Sequence, residues 1–326
     1  MNDFQNIVAH YHLPGLFEFY ELYSRFLPLF YEHREWFYEW CDIASIYGAP
    51  ADCLWGGGRV GFGDNNATQV LALLKKYNIS ARLTFSNSLL RPEHLADKKC
   101  NDLCNLLQQT TGTAFKVYNG HNGDSPLCYN GDSLQCKNGV IVHSDLLLNY
   151  IRKNYPELYL VSSTTKVLTD FTQLQEELNR PEFSYVVPDF RLNKDFANLK
   201  TLTQSQKDKV EFLCNECCDI NCQQRKICYE NVSRKSLGEN VPDHICKAPG
   251  SKNGYVFSNA MKNPAFIGID DIQNTYLPAG FTNFKLEGRS LGSAIILEFL
   301  LYYLTKPEHQ LKVRENIYLD SMLDLF

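Results

Sequence analysis

The strongest constraint on the fold is a rhythm that starts at Asp42, where short β-branched or apolar runs alternate with polar, helix-patterned segments of about 10 to 15 residues. The runs are residues 43–47, 80–85, 140–143, 158–162, 185–188, 210–214, 266–269 and 284–287. Helical patterns fill most of the gaps, at 67–77, 91–109, 144–154, 169–178, 194–200 and 291–303. Eight parallel strands with helices between them is the count of a closed (β/α)8 TIM-type barrel, and this α/β fold is the one expected. An open, doubly wound sheet is the alternative.

At 326 residues the chain is long enough for one such barrel or for two ordinary domains. Residues 1–41 read as an N-terminal helical extension. Phe19, Tyr23, Phe26, Phe30 and Phe37 recur there at helical spacing, with an interruption near Pro28. An aromatic stripe of this kind packs a core and carries no chemistry. Residues 42–326 form the expected barrel, with insertions at about 111–137 and 225–263. The first is rich in Gly, Asn and Asp and holds Cys128 and Cys136; the second holds Cys228 and Cys246.

A hydrophobic fraction of 44% with 13 Pro and 19 Gly is that of a folded globular chain. The formal net charge of −5 supplies no global basic field, so contact with nucleic acid would need a local patch. The N-terminus lacks a basic segment, an apolar core and a small-residue cleavage site in sequence. The apolar windows at 16–38 and 295–304 are interrupted by charge or too short to cross a bilayer, which takes about 20 apolar residues. A cytoplasmic, non-membrane chain is expected, and its twelve cysteines then suit metal or redox chemistry better than a disulfide framework.

In a barrel the functional face lies at the C-terminal ends of the strands. Residues 56–61 match G-x-G-x-x-G after a strand, but no acidic residue follows at the spacing a dinucleotide site needs. The simpler use is a tight loop whose amides, with Arg59, approach an anionic group or cofactor. Asn87 and Lys166, at two other strand ends, are further candidate cofactor contacts. The last strand, FKLEGR, alternates so that Lys285, Glu287 and Arg289 share one side. If that side faces the lumen, Glu287 could exchange protons while Arg289 or Lys285 holds an anion, with Asp189 completing the candidate catalytic set; a satisfied structural network is the plainer reading.

Residues 209–246 hold six of the twelve cysteines. Strand alternation extended from 210 puts Cys214, Glu216 and Cys218 on one side and Cys217 on the other, as a structural residue. The spacing Cys218-x3-Cys222 lets two thiolates reach one ion. Cys246 could return from the insertion, and Cys53 lies in the loop after the first run, on the same face. Four thiolates fit an iron–sulfur cluster or a four-cysteine zinc site, whereas the C-x3-C-x2-C pattern of radical-SAM proteins is not met, because Arg225 stands at the third position.

FKLEGR, with IDDI at 269–272, a segment ending PAGF, and NECCDINCQQRKICYE after the 210–214 run, resembles the peptidase U32 family. The resemblance implies a (β/α)8 barrel with a [4Fe–4S] cluster held by four cysteines. Members include oxygen-independent hydroxylation factors for ubiquinone and RNA bases, and proteins described as collagenases; relatives can act in pairs, so a protein partner is compatible. On this reading Cys53, Cys218, Cys222 and Cys246 are candidate ligands in an enzyme that modifies, by hydroxylation or a related step, a small molecule or nucleic acid. Two alternatives stand beside it: a metal-stabilised (zinc) or metal-free binding barrel, and a peptidase or hydrolase. No H-E-x-x-H or G-x-S-x-G motif supports the last.

Overall fold

The computed structural model describes residues 8–57, 66–110, 137–248, 251 and 254–318. Its strands are β1 (Ala9–Pro14), β2 (Cys41–Gly48), β3 (Ser80–Phe85), β4 (Gly139–Val142), β5 (Tyr159–Ser162), β6 (Phe183–Val186), β7 (Glu211–Leu213) and β8 (Asn283–Lys285). All paired neighbours run parallel in the order β6-β5-β4-β3-β2-β1-β8-β7. A parallel bridge between Val186 and Val210 joins the two end strands, so the sheet closes into a (β/α)8 barrel.

The count of eight survives through two compensating differences from the sequence pattern. Residues 9–14, assigned to a helical extension, are the first strand of the barrel, paired with β2 and β8. Their alternation was hidden because Ala9, Tyr11 and Leu13 face the apolar layer while His12 points into the lumen. Residues 266–269 are not a strand; the Ile267 N–H makes one bond to the Cys214 carbonyl, and helix begins at Ile269. The extension therefore belongs to the barrel, as its first β/α unit.

The helices are α1 (Tyr20–Glu32), α2 (Ala67–Lys76), α3 (Lys98–Thr110), α4 (Asp145–Asn154), α5 (Phe171–Leu178), the one-turn α6 (Phe196–Leu199) and α7 (Gln204–Lys207), α8 (Arg225–Ser236), the short α9 (Phe257–Ala260) and α10 (Ile269–Asp271), and then α11 (Ser293–Leu304) and α12 (Gln310–Tyr318). Helix α1 runs straight through Pro28 instead of breaking there, and buries Leu22, Tyr23, Phe26, Leu27 and Phe30 against the barrel. Asn66 and Asp170 cap α2 and α5, their side-chain oxygens accepting from the second and third amides of each helix.

Two apolar layers result. The larger lies between the sheet and its helices. The smaller fills the lumen with Tyr47, Ile141, Val161, Val187 and Leu213, with Tyr159 and Tyr185 packed on it. The insertion expected at about 111–137 lies outside the described residues except for Lys137. That at 225–263 carries α8. Asn87 and Ser88, just beyond β3, bind it at Ser233, where Asn87 Nδ2 donates to the carbonyl at 3.1 Å and the Ser88 N–H to Oγ at 3.1 Å.

Candidate active site at the barrel mouth

The floor of the site is a buried ionic cluster inside the lumen. Glu211, the first residue of β7, is fully buried and accepts from Arg82 Nη1 of β3 at 2.5 Å and from Lys285 Nζ of β8 at 2.8 Å. His12 Nε2 of β1 lies 3.6 Å from the same carboxylate, and its Nδ1 shares a 2.8 Å hydrogen bond with Ser45. Tyr159 accepts from Arg82 Nε at 2.6 Å, and Lys285 Nζ sits 3.7 Å from the centre of the Tyr47 ring.

Burial and the adjacent charges set the protonation states here. Burial would raise Glu211, but Arg82 and Lys285 outweigh it and hold the carboxylate well below the usual range. Burial, with Arg82 nearby, keeps His12 neutral by pushing its pKa well down. Lys285 is lowered to about 8 by burial, with Arg82 and Arg289 adding to the effect and Glu211 opposing it.

Above this floor a cavity opens at the C-terminal ends of the strands, with about 550 Å³ of empty space counting its open mouth. Lys285, Glu287 and Arg289 all line it, as do Ser163, Thr164 and Thr165 after β5, and Thr84 and Ser86 of the β3 end. The Thr84 and Ser86 hydroxyls are buried with no hydrogen-bond partner among the described residues. Helix α8 covers part of the mouth with Tyr229.

Backbone and side-chain contacts fix the walls. The Asn215 amide bonds both ways with Glu287, its Oδ1 accepting from the Glu287 N–H at 2.7 Å and its Nδ2 donating to the Glu287 carbonyl at 3.0 Å. The β7–β8 pairing is thus prolonged past Lys285 by a side chain, which positions Glu287. Arg289 Nη2 donates to the Gly57 carbonyl at 3.3 Å. Gly57 is required there, since a Cβ would stand 2.4 Å from the Ser86 carbonyl carbon and oxygen. The glycines at 56 and 57 thus serve a close approach of loop to strand end. Arg59 lies outside the described residues.

Beside the cavity stands a second ionic group. Asp189, fully buried, takes Arg191 through both oxygens at 2.6 and 3.0 Å, and Arg225 Nε at 3.5 Å. Arg225 Nη2 is 2.5 Å from Glu216 Oε2, in ion-pair contact though not in hydrogen-bond alignment. Asn87 and Lys166 are engaged elsewhere: Asn87 also donates to Leu54 O at 3.1 Å, and Lys166 pairs with Glu177. Neither lines the cavity.

The cysteines separate. Cys53 is buried in the β2–α2 loop with its sulfur 3.7 Å from that of Cys100 on α3. Cys218 and Cys222 are half-buried in the loop after β7, and Cys246 is exposed. Among the described residues no three of Cys53, Cys218, Cys222 and Cys246 bring their sulfurs within 4.8 Å of one another, so these four do not form a preformed site for a single zinc ion.

Cys217, set aside by alternation, reaches the mouth. Its thiol donates to Glu287 Oε1 at 3.7 Å, because β7 ends at Leu213 and the period of two stops there. Glu216, Cys217 and Glu287 lie within 4.8 Å of one another. Glu216 is already engaged through both oxygens, by Arg225 and by the amides of Cys217 and Cys218 at 2.9 and 3.0 Å, so the trio reads as a hydrogen-bonded wall more than as an ion site. Glu211, Arg82, His12 and Asn215 were missed in the sequence. The only signal was a charged residue inside each of two apolar runs, VEFLC and SARLTF.

These features define a (β/α)8 barrel with a cavity, lined by both apolar and ionisable side chains, at the catalytic end of such barrels. No family model matches the chain, and no curated protein matches it. The solved structure of a U32 peptidase is similar at 10% identity and a TM-score of 0.46, covering 88% of this chain and 94% of that one. Among the described residues no helix is long and apolar enough to cross a membrane.

Proposed function

We propose that the chain is a (β/α)8 enzyme that binds a small anionic substrate in the mouth cavity, with Lys285 and Glu287 exchanging protons and Arg289 holding negative charge. The observation that carries this reading is the charge pattern beneath the cavity. Arg82 and Lys285 share the single carboxylate Glu211, while His12 is neutral. Arg191 and Arg225 are matched by Asp189 and Glu216, and Arg289 and Glu287 both line the cavity. Two cations thus share one carboxylate beneath the cavity, beside the Thr84 and Ser86 hydroxyls, which have no hydrogen-bond partner among the described residues. An anion bound there would be stabilised far more than in water.

Calorimetric titration with oxalate and with inorganic phosphate tests it. Wild type should bind one of them, and Arg289→Gln should weaken binding by about tenfold or more, as expected for loss of a charge-assisted contact. Equal affinity in the two proteins, or no binding by either, defeats the assignment.

The iron–sulfur modification enzyme is a second reading, favoured by one observation: β7 delivers Cys217 and Cys218 to the mouth, next to Cys222 in the same loop. A cluster there would supply redox chemistry, and Cys218 and Cys222 are the pair available to hold it. Anaerobic purification with iron, sulfide and zinc counting tests this: about four irons per chain supports a cubane cluster, zinc supports a metal-stabilised barrel, and a colourless, metal-free protein removes both.

A further inference from the structure

Lys285 differs from an ordinary buried lysine in three ways that can be seen together. Its Nζ stands at the floor of an open cavity, not in a sealed core. Its single carboxylate partner, Glu211, is shared with Arg82 at a shorter distance, 2.5 Å against 2.8 Å. The face of Tyr47 lies 3.7 Å away on one side, fixing the direction in which the amine can be approached. An amine crowded by other cations and removed from water is the setting in which a lysine becomes a nucleophile towards carbonyl carbon.

We propose that Lys285 forms a Schiff base with a small oxo acid, that is, a compound carrying a ketone or aldehyde next to a carboxylate. This rests on the anion-site reading above and adds a covalent step to it. The carboxylate would lie against the Arg289 guanidinium, four residues further along the chain and lining the same cavity, and the carbonyl would lie over Nζ.

The step balances without an oxidant or reductant. The neutral amine attacks the carbonyl carbon, the C–N bond forms, and the carbonyl oxygen takes a proton to give a carbinolamine. Nitrogen then loses its proton as the hydroxyl leaves, protonated, as water, and C=N remains. Glu287, its backbone held by Asn215, lines the same cavity, and its carboxyl would carry protons to and from that oxygen. Thr84 and Ser86 offer the oxygen two donors. The lowering of Lys285 to about 8 gives a sizeable neutral fraction under mildly alkaline conditions.

The test is reductive trapping. The intact wild-type chain is incubated at pH 8 with glyoxylate and sodium cyanoborohydride, with and without excess oxalate, and labelled lysines are mapped by peptide mass spectrometry. Lys285 is expected to gain one carboxymethyl group at least about tenfold faster than the highly exposed Lys98, and oxalate is expected to suppress that labelling alone. Labelling of Lys285 no faster than Lys98 overturns the proposal. In that event a melting-temperature shift with oxalate separates the two ideas. A shift leaves the anion site standing without the imine, and no shift removes both. Mapping the wild type keeps the result independent of whether Lys285→Arg folds.

Discussion

Lys285 Nζ and Glu211 Oε1 meet at 2.8 Å inside the barrel, one from β8 and one from β7, and the second Glu211 oxygen is taken by Arg82 from β3. A single carboxylate therefore ties together strands on opposite sides of β1 and β2. Breaking a buried ion group by removing one partner strands the others, at a cost of about 3–5 kcal/mol. Glu211→Gln is expected to lower unfolding free energy in urea by that amount. A loss under about 1 kcal/mol, the scale of an exposed pair, would show that the cluster is not a structural unit.

The pH dependence of Lys285 has a definite sign. Its pKa is about 8 in the folded chain and near 10.5 when unfolded, so between those values the unfolded state binds more protons. The penalty is fully present below about pH 8 and is relieved as pH rises towards 10.5; it is on the order of 3 kcal/mol. Stability of wild type relative to Lys285→Met should therefore rise across this window. The difference between the two proteins, measured by urea unfolding at pH 7 and pH 10, cancels the titration of other groups, and a flat difference contradicts the assignment.

Asp42 in β2 behaves as a buried acid, raised from 3.8 to about 6 by desolvation, although its Oδ1 accepts from the Ile43 N–H at 2.7 Å. A raised acid favours the folded state below about pH 4, and that advantage is lost as pH rises through 6. Asp42→Asn keeps the acceptor and removes the charge. It is expected to stabilise the protein at pH 7 by up to about 3 kcal/mol and to have little effect at pH 4. Thermal unfolding at the two pH values decides it, and equal effects at both would point to a cause other than charge.

Cys53 and Cys100 lie 3.7 Å apart in a buried contact between the β2–α2 loop and α3, and the neighbouring Cys53 thiol, with burial, pushes the Cys100 pKa far up. The Cys100 thiol is then not readily ionised to bind a metal, and the Cys53 sulfur is turned towards it. Cys53→Ala should leave unchanged whatever iron or zinc the anaerobically purified protein carries, while lowering stability by about 1 kcal/mol. Loss of metal in this variant would instead make Cys53 a ligand.

How much of this was legible beforehand varies by element. Strands β4 and β5 are near-continuous apolar runs, as buried parallel strands tend to be, and β3 alternates Ala81, Leu83 and Phe85 with polar residues; all three stand out in the sequence. β1 does not, because AHYHLP carries two histidines and ends in proline, and His12 faces the lumen. Residues 266–269 have the composition of a strand but only one backbone bond to the sheet. FKLEGR showed the three side chains that line the mouth, since their spacing of two needs only local alternation. Glu211 and Arg82 could not be seen as a pair, because 129 positions separate them and nothing local marks their meeting.

The sequence by itself determined the alternation of strands and helices and which side of the last strand is charged, both consequences of periods of 2 and 3.6 residues. The tertiary structure decided which charges share one carboxylate, that Cys217 and not Cys53 comes to the mouth, and where the first strand lies. Those outcomes depend on barrel closure and strand register. They set distances between residues far apart in the chain, and no local pattern encodes them.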